Sequence, residues 1–292
     1  MVAQGTFDGI HLGHQEVIRT AVRRARDLRA QAAALTFDPS PSTVLRPSEA
    51  PPEILPLDER LDRIADLGPD VTLVIPFTLE FSRVEAAAFV HDVLAGLLRA
   101  REVVVGFNHT FGRGARGTPE MLEALAAPLG VRVHVIPPLT VNGIVVSSSS
   151  VREALRRGDV GLAASLLGRP YAIRGVVTRG AERGRTIGFP TANIVSGVPA
   201  LLADGVYAGR AGWDGHSALA VVNVGVRPTF GEHVRTIEAH LLDVSAELYG
   251  RVLTVALLAR IRDEMRFPSV EALRARIGED VTIARRLLAR VP

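Results

Sequence analysis

A chain of 292 residues, 47% of them hydrophobic, has the length for two ordinary domains, each with its own core. It contains no cysteine, which excludes disulfides, thiolate metal sites and thiol nucleophiles; all 34 basic residues are arginine, so P-loop, Schiff-base and protein-kinase-type lysines are excluded too. The formal charge is only +3, so the pI of 10.1 reflects arginine chemistry rather than a nucleic-acid-binding face, and no apolar run reaches the roughly 18 residues of a bilayer span.

Residues 2–4 read as the tail of a first strand. The loop that follows, Phe7-Asp8-Gly9-Ile10-His11-Leu12-Gly13-His14, leads into an amphipathic helix over 14–29, where Val17, Ile18, Ala21, Val22, Ala25 and Leu28 recur at helical spacing with arginines between them. Apolar runs at 32–37, 71–75, 103–105 and 131–136 alternate with helical stretches at 58–67 and 84–99. This alternation predicts an α/β, doubly wound parallel sheet, an architecture that places ligands at the carboxyl ends of its strands. Gly168-Arg169-Pro170 breaks the preceding helix and divides the chain into domains 1–168 and 169–292. Beyond it, runs at 171–179, 205–213, 217–224, 234–242 and 252–261 are rich in β-formers and punctuated by turn residues, which predicts an antiparallel barrel or sandwich. A terminal helix follows Pro268, with Ser269 as N-cap and Val270, Leu273, Ile277, Val281 and Ala284 on one stripe.

Chemistry concentrates in a few segments. A helix N-terminus presents unpaired N–H groups and a positive dipole end to phosphate. Gly13 permits close backbone approach there, and His11 and His14 can donate to an oxyanion, an arrangement suited to charge building on a departing pyrophosphate. Ser147–Ser150 supplies hydroxyls at another helix start, with Arg152 offering a planar fork for phosphate oxygens. In the second half, Gly180, Gly184-Arg185 and Gly188-Phe189-Pro190-Thr191-Ala192-Asn193 form a glycine-rich turn. Thr191 and Asn193, two apart, face one side of an extended segment and offer a hydroxyl and an amide oxygen, suitable ligands for Mg²⁺. In Thr236–Asp243, Ile237, Ala239 and Leu241 alternate with Glu238 and His240, which share the other face.

These motifs, in this order, resemble the bacterial bifunctional riboflavin kinase/FAD synthetase, and the resemblance spans nearly the whole chain. The first half is similar to the nucleotidyltransferase superfamily, with Phe37–Pro41, Gly106-Phe107-Asn108-His109-Thr110-Phe111-Gly112 and Ser147–Arg152 matching its flavin branch. The second half matches the riboflavin kinase barrel, including Asn223–Phe230 and Leu248-Tyr249-Gly250. The resemblance implies that riboflavin is phosphorylated by ATP to FMN and that FMN is then adenylylated by ATP to FAD with release of pyrophosphate. It assigns ATP and phosphate contacts in the adenylyltransferase to Gly5, Phe7, Gly13, Asn108, Ser148, Ser149 and Arg152, with His11 and His14 stabilising the transition state. In the kinase it assigns ATP and flavin contacts to Gly180, Gly184, Arg185, Gly188, Pro190, Thr191 and Asn193, Mg²⁺ to Thr191 and Asn193, and the catalytic base to Glu238. Riboflavin, FMN and ATP are the expected partners of a cytoplasmic monomer or weak homo-oligomer, with no nucleic acid or membrane.

The sequence departs from the family in four places. His109 stands where relatives usually have Phe, Ser149 where they have Thr and Arg179 where many have His, and few residues precede the first strand. Two alternatives stay open: a riboflavin kinase with a decayed N-terminal domain, and a non-catalytic flavin- or RNA-binding protein.

Overall fold

The computed structural model describes residues 1–180, 184, 187–196, 201–229 and 232–289, with the side chains of 226–229 and 232–234 left aside. The chain forms two compact units, Met1–Ser148 and Ser149–Pro292.

The first unit is built on five parallel strands, β1 (Val2–Gln4), β2 (Ala33–Asp38), β3 (Val71–Pro76), β4 (Glu102–Gly106) and β5 (Arg132–Ile136), in the order β3-β2-β1-β4-β5. The order reverses at β1, so the loop after β1 sits at the switch point where such sheets bind ligands. The expected amphipathic helix is α1 (Leu12–Asp27), whose buried face is Gln15, Val17, Ile18, Ala21, Val22 and Ala25. Short α2 (Pro41–Leu45) and α3 (Leu57–Ala65) lie between β2 and β3. After β4 come α5 (Pro119–Ala126), which the sequence reading did not anticipate, and beyond β5 a small hairpin of β6 (Thr140–Val141) and β7 (Ile144–Val145). The core joins Val2, Leu35, Val103 and Val105 of the sheet to Phe89, Val90, Leu94, Phe111 and Leu122.

The expected helix at 84–99 forms, but with a different winding. Three residues of α4 (Ala86–Ala88) run into a π-helix, Phe89–Leu97, in which Leu98 N–H bonds to Val93 O. In an α-helix Val90, Leu94 and Leu97 would share a face. The π winding instead leaves Leu97 77% exposed and brings Leu98 against the core.

The second unit is a closed antiparallel barrel in the order β10-β11-β12-β9-β8-β13, formed by β8 (Tyr171–Thr178), β9 (Ala192–Val195), β10 (Gly205–Trp213), β11 (His216–Thr229), β12 (Glu232–Leu241) and β13 (Val252–Arg262). β9 is an addition to the expected strands; it is short, and its neighbourhood is dominated by turn residues. Two helices lead into the barrel: α6 (Ser148–Arg156), which starts on the last residue of the first unit, and α7 (Val160–Leu167), capped by the Asp159 carboxylate at Leu162 N–H. α7 packs against β8 and β13, and Gly168 closes it in the left-handed conformation.

The terminal helix is α8 (Val270–Leu288), with the Ser269 hydroxyl accepting from Ala272 N–H as expected of an N-cap. Its packing stripe is carried by the C-terminal half, where Val281, Ala284 and Leu288 meet Val206, Ala208, Val221 and Leu242. Val270, expected on that stripe, is 57% exposed. Asp280 anchors the helix: it is 1% exposed and takes hydrogen bonds from Arg262 at 2.7 and 3.0 Å.

At the amino ends of β4 and β5, away from the loops that carry the chemistry, Glu102 is nearly buried and accepts two hydrogen bonds from Arg24 and one from His134 at 2.7 Å. The Arg24 bonds, with His134 in support, outweigh burial and hold its carboxyl down to about 2 from the ordinary 4.5. A depressed carboxylate stabilises the fold above its unfolded pKa, and that contribution is lost as pH falls through the folded value. Glu102→Gln is therefore expected to lower stability by roughly 1–3 kcal/mol at pH 7. The gap between variant and parent should close between about pH 4.5 and 2, read as the difference in Tm across a pH series.

Candidate functional site

In the first unit the loop after β1 is tightly wound. Phe7, Gly9 and Ile10 all have positive φ, at 53°, 83° and 43°. For a β-branched residue such as Ile10 this conformation is strained and persists only where the surroundings impose it. They do so through several bonds. The buried Asp8 carboxylate accepts from Ile54 N–H at 2.9 Å and lies 3.4 Å from Leu55 N, Gln15 Nε2 donates to Ile10 O, and Ser148 Oγ donates to Asp8 O. Asp8 thus organises the loop, and Ser148, the last residue of the first unit, holds its carbonyl.

The loop delivers its two imidazoles to one spot. His11 is the N-cap of α1: its Nδ1 accepts from His14 N–H at 3.3 Å, which leaves the ring proton on Nε2. The His11 and His14 rings stack at 3.6 Å and 21°. Gly13 lies between them, and a Cβ there would meet the His11 ring at 3.2 Å. A helix N-terminus, a glycine and two imidazoles thus converge on one surface, as an oxyanion site requires. The Phe7 ring is 1% exposed, covers Gly5 and meets His14 edge-on at 5.5 Å, so these two residues form the floor beneath the histidines. Asn108 is exposed on the loop after the adjacent strand β4. Ser149 and Arg152 follow Ser148 on α6, in the second compact unit.

His109 replaces an aromatic residue with another ring that stays apolar in charge. It stacks parallel to Phe111, at 5.8 Å and 13°, and burial pushes its pKa down to about 4. The imidazole is neutral at pH 7.

One residue that sequence reasoning missed holds this edge together. Arg60 on α3 has no exposed surface; it donates to Thr6 O and to Phe37 O, both at 3.1 Å, and lies 3.6 Å from the Asp38 carboxylate. It thereby joins the loop after β1 to the end of β2. The available signal was an arginine placed between Leu57 and Ile64 on the apolar face of an amphipathic helix.

In the second unit the expected kinase residues share one face of the barrel wall. Asn193 of β9 pairs with Glu238 of β12 on one side and with Thr178 of β8 on the other. Thr191 Oγ lies 3.4 Å from Glu238 Oε2. Ile237, Ala239 and Leu241 are buried while Glu238 and His240 are half-exposed, as the alternation predicted. His240 Nδ1 donates to Pro190 O at 2.8 Å and its ring meets Phe189 edge-on, which fixes the turn. Phe189 N–H bonds to Gly184 O at 2.8 Å, and Gly188 has φ of 88°. A Cβ on Gly180 would overlap the Asn193 amide, so only glycine lets this strand end lie against it. Arg185 lies outside the described residues.

A cleft of 510 Å³ opens here, lined by Gly180, Pro190, Thr191 and Asn193, by Ala239 and Leu241, and by Val244–Tyr249. Its volume is in the range of sites for drug-sized ligands. The oxygens of Thr191, Asn193 and Glu238 form a hard donor set that fits Mg²⁺, which prefers one or two protein oxygens beside phosphate and water.

Replacing Arg60 tests how far the first unit depends on it. Arg60→Met strands the Thr6 and Phe37 carbonyls without donors, at about 1–3 kcal/mol each. A clear fall in Tm is expected, with Arg60→Lys recovering only part because a single ammonium lacks the planar fork.

Comparison with known proteins agrees with this geometry. A family model described as FAD synthetase matches residues 1–150, and one described as riboflavin kinase matches 167–288. A protein of Bacillus subtilis named bifunctional riboflavin kinase/FMN adenylyltransferase is 37% identical over 96% of this chain and 90% of its own length. One of the same name from Escherichia coli is 36% identical, with the same coverage. A crystal structure from Streptococcus pneumoniae titled macrolide-efflux protein superposes with a TM-score of 0.89 at 33% identity, over 97% of this chain and 93% of that one. Among the described residues no helix is long and apolar enough to cross a membrane.

Proposed function

The chain belongs to the bifunctional riboflavin kinase/FMN adenylyltransferase family, and we propose that its two activities are divided between the stacked-histidine edge of the parallel sheet and the Thr191–Asn193–Glu238 face of the barrel. It is a transferase of flavin cofactor synthesis, making FMN from riboflavin and ATP and FAD from FMN and ATP.

In the adenylyltransferase, an FMN phosphate oxygen attacks the α-phosphorus of ATP and the bond to pyrophosphate breaks. The nucleophile is already an anion, so no base is required. The residues instead hold the two phosphates in line and neutralise charge on the leaving group. His11 from Nε2–H, His14 and the N–H groups at the start of α1 are placed for that task, with Gly13 allowing close approach. Asn108, Ser149 and Arg152 complete the phosphate contacts in this reading.

In the kinase, the terminal ribityl hydroxyl attacks the γ-phosphorus, ADP leaves, and the hydroxyl proton passes to Glu238. Mg²⁺, when bound with ATP, supplies charge neutralisation along the phosphates, and Thr191 and Asn193 are the residues that hold it. The glycine turn through Gly180, Gly184 and Gly188, with Arg185 and Pro190, wraps the phosphates. The observation that carries this assignment is the direct cross-strand pairing of Asn193 with Glu238, which sets a metal-holding group beside a base. The ATP dependence of both steps supports a cytoplasmic enzyme, and the small net charge supports one without nucleic-acid partners.

The two sites are tested against each other. His14→Ala is expected to slow FAD formation by roughly ten- to a thousand-fold, the range for losing a transition-state donor, while FMN formation persists. Glu238→Gln is expected to lower FMN formation by about 10²–10⁴-fold while FAD formation from supplied FMN persists. Equal loss of both activities in either variant would overturn the division.

We place the domain boundary at Gly168-Arg169-Pro170, with α6 and α7 serving as a cover for the barrel. A fragment starting at Ser149 is then expected to make FMN and no FAD. A fragment starting at Arg169 loses the buried Leu155, Val160, Leu166 and Leu167 and should melt at a lower temperature in a thermal scan.

A further inference from the structure

Arg179 is a departure from the family that the reading above leaves without a role. It follows the last residue of β8 and is solvent-exposed. Its guanidinium lies over the Tyr249 ring, with Cζ 5.5 Å from the centroid. The backbone just after Tyr249 is held by two bonds: Gly250 N–H donates to Val177 O and Val177 N–H to Arg251 O, both at 2.9 Å. Tyr249 is therefore zipped to the end of β8, and Arg179, two residues beyond Val177, is parked on its face.

A guanidinium stacked on an aromatic ring has its face engaged and its five N–H donors directed outward in the plane. Among the described residues none of those donors has a hydrogen-bond acceptor, and no carboxylate lies within ion-pair distance. Glu247, the carboxylate among the residues lining the cleft, is not paired with it. A cation held in place while its hydrogen-bonding edge stays open is an anion receptor awaiting its ligand.

Its position specifies the anion. Arg179 sits between Thr178, which pairs with Asn193, and Gly180, whose backbone lies against the Asn193 amide. Tyr249, Gly180, Thr191 and Asn193 all line the same cleft. The guanidinium thus lies beside the cleft, over the Tyr249 ring that forms part of its wall. We propose that Arg179, positioned by Tyr249, binds a phosphate group at the mouth of the barrel cleft, as a substrate-binding residue of the kinase.

The proposal rests on the kinase reading, and the ligands separate the two. Riboflavin has no phosphate, whereas ADP carries two and FMN one. In the full-length chain, Arg179→Ala is expected to weaken binding of Mg-ADP, of FMN or of both by about ten-fold, the scale of one charge-assisted hydrogen bond, while the KM for riboflavin is unchanged. Loss with ADP identifies the nucleotide phosphate and loss with FMN the product phosphate. Arg179→His supplies a readout that a structural role would not move. Phosphate affinity should become stronger below about pH 6.5 relative to the parent, as the imidazole gains charge. ADP and FMN affinities that stay at parental levels in Arg179→Ala would overturn the inference, as would an equal weakening of riboflavin. If the parent chain makes no FMN at all, it is the kinase reading that fails.

Discussion

Much of the first unit hangs on one guanidinium. Arg60 has no exposed surface, and its hydrogen bonds run to carbonyls at the ends of two adjacent strands. A charge so placed is costly unless it is paired, and Thr6, Phe37 and Asp38 engage its two terminal nitrogens. The same contacts fix the exit direction of the chain after β1, where Phe7, Gly9 and Ile10 take up left-handed conformations. Strain of this kind needs support from several sides. Arg60 supports the loop at Thr6, Asp8 reaches outward to Ile54, and Gln15 reaches back to Ile10. The stacked histidines sit on top of that scaffold and inherit its precision.

In the division of activities proposed above, the two units meet a common demand, holding phosphate without lysine, by different means. The parallel-sheet unit uses the positive end of α1 with imidazoles at its first turn, an arrangement in which partial charges come mostly from backbone. The barrel would hold it from the strands of its wall. It uses side-chain oxygens from adjacent strands, set opposite one another by the ladder register, so that Thr191, Asn193 and Glu238 converge because β9 and β12 are paired. Arginine serves in both units, bonding carbonyls through its planar fork where buried, as Arg60 does, and stacking where exposed, as Arg179 does.

Much of this was legible in the sequence, for identifiable reasons. The spacing of Val17, Ile18, Ala21 and Val22 marks α1 because packing on a sheet requires a 3.6-residue period. The alternation of Ile237, Ala239 and Leu241 likewise placed Glu238 on the wet face. Local pattern failed where long-range contacts decide. β9 is four residues long and exists because β8 and β12 flank it. Asp8 reads as part of a phosphate loop, yet its carboxylate is spent on amides 46 and 47 residues away. Arg60 looks like a surface residue until the helix phase is examined. Of the segment 244–249 that lines the cleft, the family resemblance marks Leu248 and Tyr249, whereas nothing in the composition of 244–247 singles it out.

The winding of Phe89–Leu97 also bears on how the chain can change length. A π turn spans one more residue than the α turn it replaces, so this segment holds slack that the other helices lack. Removing one residue between His91 and Leu97 would let it rewind as an α-helix. Phe89 and Val90 would stay against the core, Leu98 would then stand seven residues after Val90 and keep its place there, and Leu97 would remain in water. The same deletion in α1 would rotate every later position by about 100° and turn its apolar stripe away from the sheet. Insertions and deletions in relatives of this chain should therefore collect in the π segment and spare α1, where the helix phase fixes both the core and the placement of the histidines.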